Sequence, residues 1–340
     1  MTGKERINAI FAGQKADRVG FWAGDPPPET REIYYKYFNV NDPVSLASAI
    51  GDDAIWIPAE FTSYRHPDNR WIWNTQGSQE RKALDGAGIF SECETIKEIE
   101  AFDWPDAKYL DYTNVIKQME EAQKQGIAVF GGPWTYVTAI ACEMFGMEDL
   151  FISMYTKPKL VHAAVDGIIN FYLAANKKLF DQAADKLDVF FFGNDLGSQE
   201  NLLFSPEMFN EFFLPGIKKI VDQAKSYGLK VMLHSCGAVE KLVPTFIDIG
   251  IDALHPLQAK ARGMDAQILA DKYKNDLVFI GGVCTQELLP FGTPDEIKAE
   301  VRRLKKIFGE RYVVSPSHEA LLPNVSPENM LAMRDAAKEA

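Results

Sequence analysis

From about residue 115 onward, short apolar runs alternate with longer helical patterns at least six times. "GIAVFGG" (126–132), "LDVFFFGND" (187–195), "LKVMLHSCG" (229–237), "IDALHPLQ" (251–258), "DLVFIGGVCT" (276–285) and "RYVVSPSHE" (311–319) have the length and β-branched or aromatic content of buried strands. Between them lie stretches with helical start and stop signals. In 205–228, Ser205 is placed to cap, Pro206 to sit at the first helical position and Gly228 to stop the helix. Thr293 and Glu296, three apart around Pro294, form a capping-box pattern. Strands separated by crossover helices imply a parallel sheet. "RVGFWAGD" (18–25) and "DAIWIP" (53–58) supply two more candidates, for eight in all. Eight such units predict an α/β fold, a (β/α)8 TIM barrel with an N-terminal elaboration, over residues 1–340 as one domain. The rival, a doubly wound open sheet, lacks its G-x-G-x-x-G after the first strand. Residues 59–115, rich in Trp, Asp and Glu, are expected to form an insertion near the barrel mouth.

Bulk properties narrow the function. A formal net charge of −12 argues against a nucleic-acid binder, which needs a basic face to displace counterions. No window is long and apolar enough for a membrane span, and "MTGKERINAIFAGQK" has charges through its apolar part, unlike a secretory leader. The four cysteines are too widely spaced for a disulfide framework, so a reducing, cytoplasmic setting is expected.

In a barrel of this kind, chemistry sits where strands end. The strand at 187–192 ends in Gly193, Asn194 and Asp195, with Gln199 soon after. Later strands end in His234, Ser235 and Cys236; in His255 and Gln258; in Cys284 and Thr285; and in Ser317, His318 and Glu319. Three of the five histidines and two of the four cysteines therefore gather at one face. Residues i and i+2 of a strand point the same way, so His234 and Cys236 can reach one ion. Mixed His and Cys ligation suits zinc. Packing is the competing account, since cysteine is a common buried residue. It applies most to Cys284, which follows two glycines, and to His255, where Pro256 turns the chain away.

Several segments resemble, in order, the uroporphyrinogen decarboxylase superfamily, which includes zinc-dependent cobalamin methyltransferases. They are "RINAIFAGQKADRVGFW", "GNDLGSQENLLFSPEMFNEFFLPGIKKI", "HSCGAV", "GGVCTQELLPFGTPDEI" and "SPSHEALLPNVSPENMLAM". The resemblance implies the same barrel. Decarboxylase members carry an arginine-rich first loop and an aspartate after the second strand. Here the loop "WAGDPPPETREIYY" has one arginine, Arg31, and the second strand ends "IWIPAE", with Glu60 near that position. Methyltransferase members carry His-x-Cys and a later cysteine. His234 and Cys236 match, and His318 falls at the later cysteine's place in "SPSHE".

The resemblance thus implies zinc held by His234, Cys236 and His318, with Cys284 as the contested ligand. Asp195, Gln199 and Gln258 would orient substrate or brace the ligands. It also implies methyl transfer between a small methylated molecule or thiol and a corrinoid. The Asp-x-His-x-x-Gly signature of corrinoid carriers is absent, so the corrinoid is expected on a separate carrier protein. The alternatives are decarboxylation without metal and a barrel that binds metal or corrinoid without catalysis.

Overall fold

Eight parallel strands form one sheet in the computed structural model, which describes residues 1–60, 63–73 and 86–339. They are β1 (Gly20–Phe21), β2 (Ala54–Pro58), β3 (Ala128–Gly132), β4 (Val189–Gly193), β5 (Lys230–His234), β6 (Ala253–Leu257), β7 (Val278–Val283) and β8 (Tyr312–Pro316). The order runs β1-β8-β7-β6-β5-β4-β3-β2, so each strand lies beside its sequence neighbours and the first meets the last. The seam between β1 and β2 is joined by Asp53 N–H donating to Phe21 O (2.9 Å). The result is a nearly closed (β/α)8 barrel, as the alternation predicts.

β4 shows how the pattern works. In "VFFFG" every residue is buried, but successive side chains point to opposite sides. Phe191 faces inward, its ring 5.9 Å from Trp22 and 5.2 Å from Trp134. Phe190 faces outward onto Phe180 of the helix Pro158–Ala183, at 5.4 Å. The first helix, Gly3–Phe11, is started by a capping box between Thr2 and Glu5. Ile7, Ile10 and Phe11, spaced for one helical face, are buried with the inward-facing strand residues and plug the barrel bottom.

Three expectations shift. The segment 205–228 is two helices, Pro206–Phe212 and Leu214–Ser226, rather than one. Pro215 has no N–H to give, so the chain breaks before it and restarts. The strand expected over 18–25 pairs only at Gly20 and Phe21. β6 continues through Pro256 to Leu257, so Pro256 does not turn the chain away after His255. Within 59–115, residues 61–62 and 74–85 lie outside the described residues; the rest includes a short helix, Ile96–Glu100, and an antiparallel bridge between Tyr64 and Leu110. Among the described residues, no helix is long and apolar enough to cross a membrane.

Candidate metal centre

His234 is the last residue of β5 and only 3% exposed. Its two ring nitrogens face different partners. Nε2 lies 3.4 Å from Cys236 Sγ and 3.2 Å from Asp195 Oδ1. Nδ1 lies 3.2 Å from His255 Nδ1 and 3.4 Å from Glu319 Oε2. These make two groups of converging donors, Asp195–His234–Cys236 and His234–His255–Glu319.

The backbone is shaped to hold them. Gly237, at φ +88°, turns the chain at once after Cys236, and a Cβ there would meet the Gly197 carbonyl at 2.2 Å. Its N–H donates to Gln258 Oε1 (2.6 Å), and Gln258 Nε2 donates to Gln199 Oε1 (2.7 Å). The Cys236 N–H donates to Asp195 Oδ1 (3.0 Å), and the Tyr136 hydroxyl donates to Asp195 Oδ2. Trp134 packs over His234 at 5.2 Å. Gly193 permits this, since a Cβ there would lie 2.2 Å from the Trp134 ring. Glu60, fully buried after β2, accepts from Trp134 N–H (2.6 Å) and so anchors the same loop.

The charges are unusual for so enclosed a place. Burial alone would lower His234, but the charge of Glu319 and the bonds to Asp195 and Cys236 hold it well above the ordinary histidine value. Burial would raise Asp195, but the bond to and charge of His234, with Tyr136 and the Cys236 N–H, leave it well below the usual carboxylate range. Burial likewise opposes ionisation of Cys236, and the bonds from His234 and His318 outweigh it, so the thiol is lowered. His255 is driven the other way, by burial first and by His234 and His318 next, and stays neutral. Burial pushes Glu60 up to about 8. Two groups ionise most easily, a thiol and a carboxylate, and both face one imidazole nitrogen.

A tetrahedral zinc ion with His, Cys and carboxylate ligands spaces its donors by about 3.3 to 3.6 Å. The distances at His234 Nε2 are close to that. Glu319 Oε2 is buried, has its hydrogen-bonding capacity unused and lies 3.4 Å from His234 Nδ1, where a carboxylate can brace a ligating histidine. The residues therefore fit zinc.

His318 is near enough to Cys236 to help lower its thiol, and its ring centre is 6.1 Å from that of His234. Its Nδ1 accepts from Ala320 N–H (3.1 Å). His318 and Cys284 both lie outside the two donor groups; Cys284 is half-buried after β7, its carbonyl accepting from Leu289 N–H (2.9 Å). Sequence reasoning did not foresee Glu319 and His255 as partners of His234, or Tyr136, Trp134 and Glu60 as supports. Glu319 was findable, since it ends the same strand segment as His318.

The uroporphyrinogen decarboxylase (URO-D) family model matches residues 86–340. The chain belongs to that family. A methylated-thiol–coenzyme M methyltransferase of Methanosarcina mazei is 27% identical over 209 residues, 58% of this chain and 52% of that protein. A uroporphyrinogen decarboxylase of Chlorobaculum tepidum is 28% identical over 223 residues, 63% and 59% of the two chains. The match thus spans about half the length of the first relative and under two thirds of the second. A solved methyltransferase from Methanosarcina mazei superposes over 99% of this chain and 98% of its own, with a TM-score of 0.70 at 16% identity, a likeness of fold. The relatives include both a methyltransferase and a decarboxylase at nearly equal identity, so the site must decide between them.

Proposed function

We propose that this protein is a zinc-dependent methyltransferase that moves a methyl group between a small methylated molecule or thiol and the corrinoid of a separate carrier protein. The observation that carries this is the donor set at His234 Nε2, with Cys236 Sγ at 3.4 Å and Asp195 Oδ1 at 3.2 Å. Metal-free decarboxylation has no use for a thiol and an imidazole so placed. It also needs cations for a carboxylate-rich substrate, and Arg31 of the first loop is already bonded to Asp25.

His234 and Cys236 would hold the ion. Asp195, which already converges on His234 Nε2, and His318, beside Cys236, are the candidates to complete its protein ligands, ahead of Cys284. When bound, zinc supplies Lewis acidity, depressing the pKa of a coordinated thiol or polarising the atom that carries the methyl group. Glu319 holds the His234 ring from its Nδ1 side, which fixes the tautomer with Nε2 free to ligate. Tyr136 fixes the second oxygen of Asp195. Gln258 and Gln199 brace the turn that presents Cys236, and Trp134 keeps water from the inner face of the site.

Metal content by mass spectrometry tests the reading. About one zinc per chain is expected, lost in His234→Ala and Cys236→Ser, weakened in His318→Ala and kept in Cys284→Ser. Methyl transfer from candidate donors to a corrinoid acceptor should follow the metal. Zinc that binds without any methyl transfer would leave a binding module; protein that never takes up zinc would return the reading to decarboxylation.

A further inference from the structure

The second donor group, His234–His255–Glu319, lies on the far side of the His234 ring from Cys236. His234 Nδ1, His255 Nδ1 and Glu319 Oε2 are all within 4.8 Å of one another. His234 Nδ1 is 3.2 Å from His255 Nδ1 and 3.4 Å from Glu319 Oε2. The three come from different strands and are held rigidly. The register of β5 on β6 sets His234 opposite His255. Trp22 and Phe191 pack on the His255 ring at 5.1 and 5.3 Å, from the inward-facing core of the barrel. The Glu319 carbonyl accepts from Asp25 N–H (2.8 Å), and Gly24, at φ +85°, lets that loop approach, since a Cβ there would lie 2.4 Å from the same oxygen.

Hydrogen atoms cannot satisfy this group. When Nε2 of a neutral imidazole ligates an ion, its single proton is on Nδ1. That proton can serve the lone pair of His255 or the carboxylate of Glu319, but not both well. Glu319 Oε2 is buried and makes no hydrogen bond. His318 Nδ1, at 3.5 Å, is the other imidazole nitrogen near it, and that atom already accepts from Ala320 N–H. Among the described residues no lysine or arginine pairs with Glu319; only these two histidines come within ion-pair reach. A single cation placed between the three atoms would engage all of them at once. Tetrahedral zinc with nitrogen and oxygen ligands spaces its donors by about 3.3 to 3.5 Å, close to the two separations at His234 Nδ1.

We propose that His234 Nδ1, His255 Nδ1 and Glu319 Oε2 form a second metal site, inward of the first and joined to it through the His234 ring. Two imidazoles and a carboxylate, with no thiol, suit a borderline divalent ion such as zinc or cobalt(II) rather than magnesium or calcium. Binding displaces the Nδ1 proton to solvent, so with both sites filled His234 is an imidazolate between two ions. Loss of that proton makes the inner site the weaker, filled after the first. While it is empty the proton stays on Nδ1 and Glu319 braces the ring. The inner donors include neither Cys236 nor Asp195, so the site stands apart from the methyltransferase reading.

The test counts metal in protein as isolated and after equilibration with excess zinc or cobalt(II). Wild type is expected to take up a second ion only in excess metal, with release of one proton read from the buffer dependence of the calorimetric heat. His255→Gln and Glu319→Gln should each lose the second ion and keep the first; Glu319→Gln, at a partly exposed side chain, covers the case in which the His255 variant does not fold. Cys236→Ser loaded with cobalt(II) should lose the sulfur-to-cobalt absorption and retain one bound ion, which the added Glu319→Gln removes. A wild type that stops at one ion in millimolar metal overturns the proposal, as does a second ion that survives both His255→Gln and Glu319→Gln. Methyl transfer is assayed separately. Two ions without transfer would keep this inference and sink the methyltransferase reading, whereas one ion, lost in Cys236→Ser and accompanied by transfer, would do the reverse.

Discussion

The two ends of the barrel treat buried charge in opposite ways. At the bottom, Asp53 is 3% exposed and meets two arginines, Arg6 at 2.5 Å and Arg18 at 2.7 Å, while also accepting from Phe21 N–H at 2.9 Å. Each lone pair has a fixed partner, and nothing is left for a ligand. At the mouth, Asp195 and Glu319 lie on either side of His234, and Glu319 Oε2 and His255 Nε2 make no hydrogen bond. Arginine keeps its charge at any ordinary pH; histidine can give its proton up to a metal. The bottom cluster is therefore a fastener for β1, β2 and the first helix, and the mouth cluster has the open donors that the proposed metal site requires.

Breaking the fastener should have the largest effect on folding. Asp53→Ala leaves Arg18 without its carboxylate and Arg6 with Asp17 alone, and should cost about 3–5 kcal/mol in urea unfolding while metal stoichiometry survives in the folded fraction. A loss below about 1 kcal/mol would mean that the arginines find other partners and that the two ends do not differ as described. The reciprocal change is Glu319→Gln at the mouth. It should lower zinc affinity by about 10–100-fold in a chelator competition and leave unfolding nearly unchanged. An unaltered affinity would remove Glu319 from the support of His234.

Glu60 sharpens the contrast through pH. Burial raises its pKa from 4.5 to about 8, so the folded protein favours the neutral acid. That contribution to stability is complete below the unfolded value of 4.5 and is lost as pH climbs toward 8. Glu60→Gln is neutral throughout, so its melting temperature should gain on that of wild type as pH rises across this window. Parallel melting curves would show that Glu60 does not titrate there. The smallest effect belongs to a site at neither end. Thr293→Ala removes the cap that receives Glu296 N–H at 3.3 Å, and should cost about 1 kcal/mol with no change in metal content.

The barrel was legible because burial on both sheet faces writes itself as continuous apolar runs, as in "VFFFG", and because Ser205 and Thr293 mark helix starts chemically. His-x-Cys was legible because its two residues leave the same strand end. The remainder of the site depends on distances between strands, and spacing along the chain carries no trace of them. His255 sits against His234 only because β6 pairs with β5 in a register that sets the two opposite each other. Glu319 arrives from β8, beyond two intervening strands. Tyr136 comes from a loop after β3 whose path is set by Gly193 and Glu60, neither of which looks like part of a metal site in the sequence. The break before Leu214 has a simpler origin: Pro215, which lacks an N–H, interrupts the helix that Ser205 starts.

The pairing of β8 with β1 has a consequence for how metal would leave. His318 and Glu319 are delivered to His234 by the strand that also closes the ring, where Trp22 N–H is held by Val314 O at 3.0 Å. A brief parting of that junction would withdraw two side chains from the histidine while β4 and β5 stay paired. Release of the ion to a chelator should then run on the clock of this local opening, far faster than unfolding of the whole chain, and amide exchange at Trp22 should keep the same time.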